Sequence, residues 1–180
     1  MKRLALFAGV MAVVLAAVVA ASAQTKPNFG GAWALDKSKS QGLDQRMADV
    51  DVTWTIIQDD AKISIESKVT GGQPPAGGGN GGGGGRGMGG PRSYTLDGKE
   101  VTADAGGQMG GTNTTKATWS TDGKTLELSS VRAGSFNGND FKATTLDKMS
   151  LSGDGKTLTV VRHSESPRGT SDSTMVFNKQ

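Results

Sequence analysis

Three Asp-Gly-Lys triplets constrain this chain more than any other feature. They stand at Asp97-Gly98-Lys99, Asp122-Gly123-Lys124 and Asp154-Gly155-Lys156, each between runs that alternate apolar and polar residues. Asp-Gly suits a tight type I′ hairpin turn, because both central residues must take φ > 0 and these two tolerate it. The longest example, 141–166, reads as one hairpin. A two-residue loop pairs the residue three before each turn Asp with the residue four after it. The expected pairs are Tyr94–Val101, Trp119–Leu126 and Leu151–Leu158, all apolar with apolar. A three-residue loop would set Leu151 against Thr157, which the hydrophobic pattern rejects.

Other segments follow the same period. Val50, Val52, Trp54 and Ile56 share one face, as do Ile63, Ile65, Ser67 and Val69. A turn at Asp59-Asp60 would pair Ile56 with Ile63 and Trp54 with Ile65. Strands are thus expected at 32–36, 50–58, 62–70, 92–96, 99–104, 112–121, 124–132, 141–153, 156–165 and 171–179. Leu43 and Met47, at i, i+4, allow a helical turn or two within 37–49, and no segment sustains a 3.6-residue period.

The turns at 59–60, 97–98, 122–123 and 154–155 are short, whereas the links 71–91, 105–111, 133–140 and 166–170 are longer and Gly-rich. In a meander these alternate between ends, so one end is closed by tight turns and the other carries the long loops. Strands without covering helices must bury one face, and closing the sheet does so. The expected fold is all-β, an antiparallel up-and-down β-barrel of about 8–10 strands, with a two-sheet sandwich as the alternative.

Lys2-Arg3, the apolar run 4–19 and Ala21-Ser22-Ala23 read as an export signal, cleaved before Gln24. The run is short for a membrane span of about 20 residues. The expected organisation is a signal peptide at 1–23, a single domain at 24–180 and an exported protein, periplasmic or extracellular, without stable membrane insertion. Residues 24–180 retain 18 of the 20 basic residues against 17 acidic ones, a net charge of +1, so a polyanion partner is weakly supported. There is no Cys, hence no disulfide framework and no thiol chemistry.

Glycine makes up 28 of 180 residues, against a usual share of about 7%, and much of it lies in 71–91. That segment cannot bury a core and reads as a disordered, flexible loop. It lacks the Gly-Lys-Ser/Thr ending of a phosphate loop. Arg86 and Arg92 alone are thin support for nucleic-acid binding.

Read inward from the tight-turn end, the pairs form layers. Ile56, Ile63, Tyr94, Val101, Trp119, Leu126, Leu151 and Leu158 come first. Trp54, Ile65, Ala103, Ala117, Leu128, Met149 and Val160 follow, with Arg92 at the loop margin. Val52, Ser67, Thr115, Ser130, Asp147 and Arg162 come last. The interior therefore passes from apolar to polar. It reads either as a filled core under a wet rim, or as a cavity with an apolar floor and a polar mouth suited to an amphipathic ligand.

Phe29-x-Gly31-x-Trp33-x-Leu35 resembles the opening of the calycin families, the lipocalins and the intracellular fatty-acid-binding proteins. The strand count, the Asp-Gly-Lys turns and the terminal Met175-Val176-Phe177-Asn178-Lys179 are similar to the fatty-acid-binding pattern; the export signal is similar to lipocalins. The chain also resembles small secreted bacterial lipocalin-like proteins with an F-x-G-x-W-x-L-D-x-x-K-S opening. The resemblance covers most of the chain past residue 23 in pattern, but about a dozen residues in motif. It implies a lipocalin-like barrel with a small lipid-like ligand. Thr174 and Val176 replace the R-x-Y pair that holds a fatty-acid carboxylate, so that function is not implied.

Asp147 and Arg162 fall opposite each other on the inward face. Arg162 there could meet a ligand's anionic group, or simply pair with Asp147 at a semi-exposed rim, worth about 0–1 kcal/mol. The candidate ligand-binding residues are Arg162, Asp147, Trp54, Met149 and Tyr94. His163, the only histidine, has outward parity and lacks the pocket a general base needs. Zero Cys and one His rule out structural zinc. Asn137-Gly138-Asn139-Asp140 lacks the spacing of a calcium loop. No catalytic residue, metal or cofactor is implied. The expected function is exported, non-catalytic binding of a small hydrophobic or amphipathic molecule, the alternative a structural or interaction protein of the cell envelope with a filled barrel.

Overall fold

A computed structural model describes residues 26–71, 91–105, 111–136 and 138–180. The expected signal at 1–23 and most of the Gly-rich insertion lie outside them. In chain order the elements are β1 (Gly31–Leu35), α1 (Gln45–Ala48), β2 (Val50–Gln58), β3 (Lys62–Gly71), β4 (Arg92–Thr95) and β5 (Val101–Asp104). They continue with β6 (Thr112–Trp119), β7 (Thr125–Phe136), β8 (Asn139–Leu151), β9 (Thr157–Ser166) and β10 (Gly169–Lys179). All ten strands form one antiparallel sheet in the order β4-β3-β2-β1-β10-β9-β8-β7-β6-β5. The first strand meets the last, β4 comes to lie beside β6, and the result is a nearly closed up-and-down barrel rather than a sandwich.

The hairpins owe their register to local chemistry. Ser120 and Ser152 each accept a hydrogen bond from the amide three residues on, at Gly123 and Gly155. The Asp122 and Asp154 carboxylates each take the Ser hydroxyl (2.6 Å) and a Lys amide. The Ser oxygen in turn accepts from Thr125 or Thr157. Only then does glycine take a left-handed φ, 65° at Gly123 and 69° at Gly155. The turn is therefore centred one residue earlier than a type I′ turn on Asp-Gly, because the serine starts it. The register is the expected one: Trp119 faces Leu126 and Leu151 faces Leu158.

Three expected pairs, at two of the turns, differ. Asp59 accepts the amides of Ala61 and Lys62, which moves the turn one residue along. Ile56 consequently faces Ile65, and Trp54 faces Ser67, with the inward parity kept. The Asp97-Gly98 triplet does not close a hairpin. β4 pairs with β3, setting Tyr94 opposite Ile63, and β5 pairs with β6, setting Val101 opposite Thr115. Tyr94 is buried while all of β5 is exposed. The only inward residues of β5 are Val101 and Ala103, too small to gain much burial against β4.

The expected flat layers are staggered, as strand tilt in a barrel requires. Leu126 faces Met149 and Leu128 faces Asp147, one step deeper than expected. The links at 133–140 and 166–170 are not long loops. β7 and β8 run on to residues 136 and 139, β9 and β10 to 166 and 169. Among the described residues, the two ends therefore differ less in loop length than expected.

Among the described residues, sixteen apolar ones are buried, with Phe29, Trp33, Ile63, Leu126, Met149, Leu158, Val160 and Phe177 fully enclosed. They fill the end where the chain enters and leaves. Trp33 donates its indole N–H to the Phe29 carbonyl (2.8 Å), which satisfies its only polar atom within the core. Residues 36–40 are tied down too: Asp36 accepts from Ser38 and Asn178, and Ser40 bridges the Asp36 carbonyl and the Val176 amide. α1 follows, and Leu43 and Met47 pack against the core from the other end.

Candidate functional site

β8 and β9 carry the centre of the site. Asp147 and Arg162 face each other in the register and both point inward. Arg162 donates from Nε to Asp147 Oδ1 (2.6 Å) and from an Nη to Oδ2 (2.7 Å), a two-pronged contact. Asp147 is only 1% exposed, so the pair is buried and not the semi-exposed rim contact expected from sequence. The stagger of β7 against β8 causes this, since it lowers Asp147 to the level of Leu128. Burial opposes the Arg162 charge, but the hydrogen bonds and charge of Asp147 outweigh it and raise its pKa above the ordinary arginine value.

A second guanidinium completes the cluster. Arg92, on the end strand β4, reaches Asp147 Oδ2 at 3.4 Å. Charge-assisted bonds of this kind are usually about 2.7–2.9 Å, so Arg92 is held more loosely than Arg162. Both cations lie over the Trp54 ring, Arg92 at 5.4 Å and Arg162 at 5.9 Å from its centroid. Trp54 is itself braced by Phe177, 4.5 Å away between ring centres. Tyr94 sits beside them, and burial pushes its phenol pKa up. Two cations share one carboxylate here, an excess of positive charge over an aromatic floor.

Of the five expected site residues, Asp147, Arg162, Trp54 and Tyr94 come together. Met149 lies lower, fully buried between Leu126 and Val160. Arg92 is the residue that sequence reasoning left at a loop margin. Its pairing with Ile65, an inward neighbour, brings it in. Arg132 was also missed, although it shares the inward parity of Leu126 and Leu128. Above the floor the inward residues Thr115, Ser130, Thr145 and Ser164 are half-buried, a hydroxyl-lined wall. Leu35, Leu43, Met47 and Val50 pack partly buried on the core.

His163 lies on the outer face, as its parity implies. It contacts Asp172 from Nδ1 (2.7 Å) and Glu165 from Nε2 (3.3 Å), and these carboxylates raise its pKa, Asp172 first. An open groove of about 350 Å³ outside the barrel, lined by Pro27, Lys124, Leu151 and the turn at 152–155, touches none of the site residues.

No family model and no curated protein sequence matches the chain. Among solved structures, the chain is similar to zebrafish ileal bile acid-binding protein complexed with cholic acid. The two are 13% identical, with a TM-score of 0.48, over 84% of this chain and 98% of that one.

Proposed function

We propose that this chain is an exported, non-catalytic protein that binds a small amphipathic molecule with an acidic group inside the barrel. The observation that carries the reading is the buried cluster in which Arg92 and Arg162 share the single carboxylate of Asp147 above Trp54. A ligand anion would balance the uncompensated charge, and charge-assisted bonds to guanidinium are among the stronger polar contacts. An apolar tail would lie against Leu35, Leu43 and Met47. Export rests on the residues of 1–23 alone.

A second reading has an observation of its own. The pair Asp147–Arg162 is already satisfied, and the apolar half is packed. Both favour a filled barrel that acts as a structural or interaction protein of the envelope.

Native mass spectrometry of protein purified from an exporting host separates the two. A bound acidic amphiphile, lost in the Arg92→Ala variant, is the expected result. A bare chain that also fails to bind added dodecanoate would overturn the binding reading. The same spectrum tests export, since the chain mass should correspond to a start at Gln24.

A further inference from the structure

We infer that the barrel holds a second anion-binding station at Arg132, so that its ligand carries two acidic groups rather than one; this rests on the binding reading above. The Nε of Arg132 is buried and has no hydrogen-bond partner among the described residues. Arg132 lies on β7, between Asn113 of β6 and Ala143 of β8. Asn113, its partner in the β6–β7 register, is already engaged, because its Oδ1 accepts from the Ser130 hydroxyl at 3.0 Å. A buried donor without a partner costs about 1–3 kcal/mol, and more when the group is charged. An anion delivered by the ligand would remove that cost.

Spacing defines the ligand class. Arg132 stands four residues along β7 from Leu128, the residue that faces Asp147. At the strand rise that is about 13 Å between the two stations at the backbone. Three inward guanidinium groups, of Arg92, Arg132 and Arg162, stand against the one carboxylate of Asp147 on these strands. A single acidic group can reach one station only. A dianion with a flexible spacer reaches both, one end at Arg92 over Trp54 and the other at Arg132.

Isothermal titration of dodecanoate and dodecanedioate into the full barrel tests this. The dicarboxylate is expected to bind at least about tenfold tighter, the value of one charge-assisted contact. Arg132→Gln should erase that preference, bringing dodecanedioate down to the affinity of dodecanoate. Arg132→Lys, which keeps the charge but not the Nε donor, should restore part of it. Equal affinities in the wild-type protein, or a preference that survives Arg132→Gln, would overturn the second station and leave single-anion binding standing. Binding of neither compound would overturn both.

Discussion

Asp147 is the residue on which the interior depends. Its carboxylate is taken out of water and held by two guanidinium groups. Removing one partner of such a pair strands the other, at a cost of about 3–5 kcal/mol. Arg162→Ala should therefore lower stability by that amount in chemical denaturation. The double variant Asp147→Leu/Arg162→Met should recover most of it, since an apolar pair needs no compensation. Arg92→Ala should cost much less stability, because its contact with Asp147 is longer and its side chain one-third exposed. It should instead weaken anion binding. The pairing of Asp147 with Arg162 was legible in the alternation of residues alone. Its burial was not, because that depends on the stagger between β7 and β8, which no single hairpin encodes.

His163 gives a residue-scale test with a defined sign. Asp172 and Glu165 raise its pKa above the ordinary value of 6.5. The charged form is thus favoured in the folded state, and the stabilisation is fully present below the unfolded pKa. It is lost as pH rises through the folded value. Thermal melting of wild type against His163→Asn should show a gap below pH 6 that closes in mildly alkaline buffer. Asp36 behaves oppositely. Hydrogen bonds from Ser38 first, then Lys39 and Asn178, hold its pKa well below the usual carboxylate range. Its contribution is present above the unfolded pKa and fades only as pH falls through the depressed folded value.

Among the elements, the serine-started turns explain why two Asp-Gly-Lys triplets make hairpins and the third does not. At 120–125 and 152–157 a Ser precedes the Asp by two and a Thr follows the Lys, and both take part in the hydrogen-bond ring. At 97–99 the residue after Lys is Glu100, and the strands on either side pair elsewhere. The triplet was readable as a turn. Its partner strands were not, because pairing is decided by what each strand can bury, and β5 offers little. Gly155→Ala should destabilise by roughly 1–2 kcal/mol for its left-handed backbone alone, since an added Cβ meets nothing within 4 Å. Gly153→Ala, in equally open space without that φ, should be neutral or slightly stabilising. Hydrogen exchange should find amides of β5 far less protected than those of β7, which is paired on both sides.

For the whole molecule, the opening Phe29-x-Gly31-x-Trp33-x-Leu35 and the period of two sufficed to anticipate an up-and-down barrel. What could not be read was how β4 and β5 part, and which guanidinium groups therefore gather inside. Arg92 and Arg132 enter the account through sheet order and register, both properties of the assembled barrel. The site is a consequence of closure: β4 and β8 are distant in sheet order, yet Arg92 and Asp147 meet across the interior. That meeting is the central claim, and side-chain NMR reads it directly. On titration with dodecanoate, the Nε–Hε signal of Arg92 and the indole N–H of Trp54 should shift together and saturably, while the ring signals of His163 on the outer face stay in place. Shifts confined to the outer face, or an interior that does not respond at any dodecanoate concentration, would contradict it.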